Sequence, residues 1–220
     1  MDFGNLRFMR RRVLALCAVA ALFVVACGSS GSGSGSGSGS TQGGTLTVAE
    51  GTDADTLDPA SQTTTVVGAM VQMVVEPLVQ LSRSGQTEPD LATSWSESSD
   101  GTTYTFNLRK GVKFQDGEAF NAAAVVKSLD RLNSPQTFSA QPGTLKVIKT
   151  VTAVNDNKVQ ITLKQPFSAF VGAMSQVTAG IMAPNSFTAD GNTIAKVVHP
   201  VGTGPYTYTS RVLGEQLEFT

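Results

Sequence analysis

A mixed α/β fold follows from three features of this 220-residue sequence. Val66, Val67, Met70, Val71 and Val74 recur at the spacing that places them on one face of a helix. Tyr104, Phe106 and Leu108 alternate with polar neighbours directly after Asp100-Gly101, a hairpin turn signal. Residues 147–154 and 159–163 are strand-like runs joined by Asn155-Asp156-Asn157. Helical and strand periods are mixed and the hairpins are clustered, so the class is α/β or α+β with a mixed sheet.

In chain order, residues 45–50 set Leu46 and Val48 against polar neighbours, which predicts a half-buried strand. The valine and methionine stripe then predicts a helix, with Thr63, Thr64 and Thr65 available as N-caps and Pro77 as its end. Residues 78–81 followed by Ser84-Gly85 open an extended region rich in hairpins. After the strand of Tyr104, Asp116-Gly117 gives another turn. Asn121 then reads as the N-cap of a helix to about Leu132 that buries Val125, Val126, Leu129 and Leu132. Beyond the second hairpin come a short helix over 167–174 and strands over 180–183 and 206–209.

The first 26 residues differ from the rest. Arg7, Arg10, Arg11 and Arg12 precede an uncharged apolar segment over 13–26, the charge-then-apolar order of a secretory signal. It is shorter than the roughly 20 residues of a stable membrane span. Val24-Val25-Ala26-Cys27 resembles a bacterial lipobox, in which the cysteine is diacylated and becomes the new N-terminus; the alternative is an ordinary secretory cut with Cys27 incidental. Cys17 leaves with the signal, so Cys27 has no internal disulfide partner. Arg10-Arg11-Arg12 faintly echoes a twin-arginine export signal, but three arginines before an apolar run are more often a plain basic n-region. Residues 28–40 are all Gly or Ser and behave as a coil spanning roughly 20 Å, either a leash or a drifting low-complexity tract.

After residue 26 the chain keeps twelve basic and sixteen acidic residues, a mild and unclustered excess of acid. Nucleic-acid binding, which calls for a basic face, is not indicated. No nucleophile with an adjacent base is recognisable, which argues against an enzyme, and no cofactor is expected. Asp53, Asp55 and Asp58 lack the glycine and distal glutamate of a calcium loop and read as a solvated turn. The lone His199 cannot build a transition-metal site by itself. Gly202-Thr203-Gly204-Pro205 lacks the Gly-Lys-Ser/Thr of a phosphate loop and reads as a crossover turn. Trp95, Tyr104 and Phe106 could shelve a ligand, but strand alternation favours core packing.

Several spaced words occur in one order: Glu76-Pro77-Leu78-Val79, then Pro89-Asp90-Leu91-Ala92-Thr93-Ser94-Trp95, then residues 100–114 from Asp100-Gly101-Thr102 to Val112-Lys113-Phe114, then Asp116-Gly117, and finally Gly202-Thr203-Gly204-Pro205-Tyr206. In that order they resemble the peptide/nickel class, family 5, of extracytoplasmic solute-binding proteins of ATP-driven importers. The resemblance implies a periplasmic-binding-protein-like lobe with a hairpin-rich insert and the second lobe absent, so the chain reads as an N-terminal fragment. It divides the chain into a signal peptide over 1–26, a lipid-anchored linker over 27–44 and part of a solute-binding domain over 45–220. Within that domain, 45–85 and 200–220 form a first-lobe subdomain and 86–199 the insert.

The same resemblance implies a monomeric receptor, lipid-anchored on the extracytoplasmic face, that captures peptides or a similar small polar solute and delivers it to permease subunits. The alternative on the same scaffold is a surface lipoprotein adaptor or signalling module. Relatives turn two pieces of this region toward the interlobe cleft. Here they correspond to Thr63, Thr64 and Thr65, for which helix capping competes with a ligand role, and to the stretch with Gln176 and Thr178, which carries no arginine to grip a carboxylate.

Overall fold

The computed structural model describes residues 43–54, 56–61, 64–134, 137, 145–188 and 197–220. The chain divides into two units, Met1–Thr47 and Val48–Thr220. The signal, Cys27 and the Gly/Ser tract lie outside the described residues. Residues 43–50 carry no regular structure, and Leu46 and Val48 are 87% and 65% exposed. The strand expected over 45–50 is therefore not formed. Alternation stabilises a strand only where a neighbour supplies hydrogen bonds and cover, and no described strand pairs with this one.

The larger unit is mixed α/β, built on antiparallel sheets. Its centre is a four-stranded sheet in the order β3-β4-β6-β5, comprising Ala92–Glu97, Thr103–Leu108, Lys158–Leu163 and Ile148–Asn155. The Asp100-Gly101 turn joins β3 to β4, with Gly101 at φ 68°, a conformation that costs a side chain about 1 kcal/mol or more. Tyr104, Phe106 and Leu108 all point into the core, as do Val159, Ile161 and Leu163 on β6. Each such side chain contributes roughly 1.5–3 kcal/mol on burial. The helix α2, Ala122–Asn133, lies against β5 and β6. Its N-cap is Asn121, whose Oδ1 accepts the Ala124 N–H at 3.0 Å. The hairpin of β1, Val79–Leu81, and β2, Thr87–Pro89, flanks this sheet.

A second apolar cluster joins Val67, Val71, Val74 and Val75 of the α1 region to Ala54, Leu57, Met182, Phe187 and Val197. Helix α1 spans Thr65–Gln72. The C-terminal hairpin of β7, Tyr208–Val212, and β8, Gln216–Phe219, packs Tyr208, Leu217 and Phe219 against it. Helix α1 ends at Gln72 with Met73 as C-cap; Pro77 has no N–H to offer the Met73 carbonyl, and another segment satisfies the carbonyls left over. The Gly204 N–H donates to Val74 O at 2.9 Å and the Tyr206 N–H to Met73 O at 3.0 Å. Gln115 closes the junction: its Nε2 donates to Val74, Gly204 and Tyr206 carbonyls, while Oε1 accepts from Gly202 N–H at 3.1 Å. A Cβ on Gly202 would stand 2.0 Å from Val74 O, which explains the glycines of the return loop.

Three further elements differ from expectation. The helix over 167–174 contracts to α3, Phe170–Ala173. Residues 180–183 form only a single bridge, Ile181 with Glu76, between the 3-10 turns Val177–Ala179 and Pro184–Phe187. The strand expected over 206–209 is displaced to β7, because Tyr206 is committed to the end of α1.

Gly202→Ala should destabilise the chain by about 3 kcal/mol, or prevent folding, as read from urea denaturation. Asp90 tests the electrostatics: burial first, then the Glu76 carboxylate, push its carboxyl up to about 6 against the pull of Arg109. The folded chain then binds more protons than the unfolded one between about pH 4 and 6, so stability falls as pH rises through that window. Asp90 is partly exposed, which reduces the effect to about 1 kcal/mol. Asp90→Asn should raise Tm relative to the parent at pH 7, with the difference vanishing near pH 4.

Candidate ligand-binding face

The two predicted pieces of site meet around the start of α1. Thr64 is the N-cap, its Oγ1 accepting the Val67 N–H at 3.4 Å, and Thr65 is the first helical residue. Both are exposed; Thr63 lies outside the described residues. The first N–H groups of a helix have no carbonyl within it to bond, so this end offers donors and a partial positive charge to an oxygen ligand. The turn Val177–Ala179 packs against α1 and against the preceding 3-10 turn, Pro59–Ser61. Gln176 is exposed at its start. Thr178 is 4% exposed, and its hydroxyl has no hydrogen-bond partner among the described residues. An unsatisfied buried hydroxyl is costly and uncommon.

The expectation of a solvated turn fails at Asp58, which is fully buried against an equally buried Arg131 from α2. Arg131 Nη1 donates to Asp58 Oδ1 at 2.8 Å, and Nη2 donates to Oδ2. The same carboxylate accepts Ala60 N–H and Val197 N–H, each at 3.0 Å. The guanidinium also lies 5.4 Å from the Phe187 ring. A sequence signal was present: Ala124, Ser128 and Arg131 share a helix face, and two small residues beside an arginine mark close packing. Ser128 on that face accepts Met182 N–H at 3.1 Å and donates to Met182 O at 3.2 Å. Asp53, by contrast, is exposed; Gly214 N–H and then Arg211 hold its carboxyl below the usual range against partial desolvation. Asp55 lies outside the described residues.

The aromatic candidates belong to the core. Tyr104 and Phe106 are fully buried, and Trp95 packs on Phe106 with ring centroids 6.4 Å apart. Burial, then the bond from its hydroxyl to Glu97, pushes Tyr104 up to about 12. His199 lies 5.4 Å from the Tyr208 ring. No cluster of three metal-ligating side chains occurs among the described residues, and no described helix is long and apolar enough to cross a membrane. An open groove of about 640 Å³ runs between α2 and β5, lined by Val126, Lys127, Asp130 and Val151 among others, and does not include Thr64, Thr65 or Thr178.

Residues 86–220 match the model for bacterial extracellular solute-binding proteins, family 5 middle. The glutathione-binding protein GsiB of Escherichia coli O1:K1 / APEC is 39% identical over 161 residues, 73% of this chain and 31% of that protein. The chain thus spans about a third of the curated relatives it matches. NikA of Brucella suis, solved with Fe(III)-EDTA, is similar with a TM-score of 0.66 and 36% identity over 76% of this chain and 33% of that one. DppA of Helicobacter pylori, solved with the peptide STSA, gives a TM-score of 0.66 and 28% identity over 76% of this chain and 37% of that one. The order of motifs, the return loop locked on α1 and the matched span have one reading: the chain belongs to the family 5 bacterial extracellular solute-binding proteins.

Proposed function

We propose that the chain is the N-terminal part of a substrate-binding lipoprotein of an ATP-binding-cassette importer, anchored through Cys27 outside the membrane and working as a monomer. It captures a peptide or similar small polar solute and hands it to the permease without covalent chemistry. The observation that carries the ligand role is the unpartnered Thr178 hydroxyl in the turn packed on α1, beside the exposed Thr64 and Thr65. Relatives named for glutathione and solved with a peptide support that solute class. All of Thr64, Thr65, Gln176 and Thr178 are uncharged, so this face hydrogen-bonds a polar backbone rather than clamping an ion. The proposed division into 45–85 with 200–220 and 86–199 is followed only in part by the two apolar clusters: α1 and the β7-β8 hairpin share one and the four-stranded sheet fills the other, but Leu78 and Val79 pack with the sheet and Met182, Phe187 and Val197 with α1. Closure of a second lobe would shift populations only if solute touches both lobes, so this chain alone binds weakly.

Thr178→Val separates ligand role from folding role. Removing an unsatisfied buried hydroxyl should leave stability unchanged or raise it by about 1 kcal/mol, while the complete receptor loses about tenfold in peptide affinity by calorimetry. Unchanged affinity would remove Thr178 from the site. Intact-mass spectrometry of protein extracted from source membranes should show a diacylglycerol increment on Cys27. A protein partner bound without any solute-dependent change of shape would favour the adaptor reading.

A further inference from the structure

We propose that the buried Asp58–Arg131 pair is the positioning pair of the ligand face, an inference that rests on the receptor reading above for its functional meaning. A fully desolvated ion pair gains little net stability over well-packed apolar residues of similar size. What this pair supplies is placement. Among the described residues, four N–H groups, two from Arg131 and one each from Ala60 and Val197, converge on the two oxygens of Asp58. A planar guanidinium fork accepts a carboxylate in one orientation, so the turn Pro59–Ser61 has one seat on α2. That turn ends three residues before Thr64 in sequence and packs against Val177–Ala179. One turn of helix away, Ser128 grips both backbone groups of Met182, the residue that follows the bridge at Ile181. A single face of α2 therefore holds both chain segments that carry the candidate ligand groups. Neither Asp58 nor Arg131 is exposed to touch solute itself.

The test uses two variants of the whole chain. Arg131→Lys keeps the charge and loses the fork; Asp58→Leu with Arg131→Met replaces the pair by apolar volume. Val159→Ala, in the sheet core, serves as a control of comparable destabilisation. Amide hydrogen exchange is followed residue by residue, and chemical-shift changes are recorded with millimolar glutathione and trialanine as probes. Exchange at Val67, Gly68, Ala179 and Gly180, whose amides are hydrogen-bonded in these segments, should accelerate at least tenfold in both pair variants while β4 and β6 amides stay as in the parent. The apolar pair should lower Tm, because Asp58→Leu leaves the Ala60 and Val197 amides without their acceptor, and the control, matched in Tm, should leave those four residues unchanged. Uniform acceleration across the sheet, or parent-like exchange at those residues in either pair variant, overturns the proposal. Absence of probe-induced shifts in the parent chain and in the complete receptor would count against the receptor reading alone, because exchange still decides whether the pair positions these segments.

Discussion

The junction between the end of α1 and the return loop is the constraint on which the rest of the larger unit depends. Two carbonyls that would otherwise be left over at a helix terminus are satisfied by amides from more than a hundred residues further on, at Gly204 and Tyr206. The approach is so close that only glycine fits at Gly202 and Gly204. Gln115 spans both sides with donors and an acceptor, which binds the turn after β4 into the same junction. A buried backbone group without a partner costs as much as a lost hydrogen bond, so this exchange of partners is an obligatory part of the fold.

Around that junction the two apolar clusters divide the labour. The four-stranded sheet with α2 is a rigid, ordinary core, closed by aromatic pairs such as Tyr104 with Phe170 at 4.8 Å. The α1 cluster is made of valines and short turns, and polar contacts do much of its positioning: Asp58 with Arg131, Ser128 with Met182, Asp53 with Gly214. The candidate ligand groups sit on the second cluster. Arg131 and Ser128, which hold Asp58 and Met182 in this cluster, both stand on α2.

Legibility in the sequence followed the range of the interaction. Asn121 as N-cap, an N-cap among Thr63, Thr64 and Thr65, both hairpins and the Tyr104 strand rest on neighbours within a few residues, and each formed where expected, with Thr64 taking the cap. Leu46 and Val48 showed the same alternation, yet remained exposed for want of a pairing strand. Gly180-Ile181-Met182-Ala183 read as a strand from its apolar run but meets a neighbour at one bridge only. Thr64 and Thr178 were both candidates from one resemblance; local chemistry explains the capping of the first, whereas burial of the second came from packing between turns.

By itself the sequence determined the family, the class of fold, the helix caps and the turn positions, because these are encoded by spaced words and by interactions that span a turn or two. Tertiary structure alone decided that Asp58 is buried rather than solvated, which groups take up the carbonyls at the end of α1, and that the glycines of the return loop meet a helix end. Each of those outcomes depends on groups 40 or more residues apart in sequence, such as Gln115 with Val74 or Arg131 with Asp58. A carboxylate's environment cannot be read from its neighbours in the chain when the cation that neutralises it comes from a different helix.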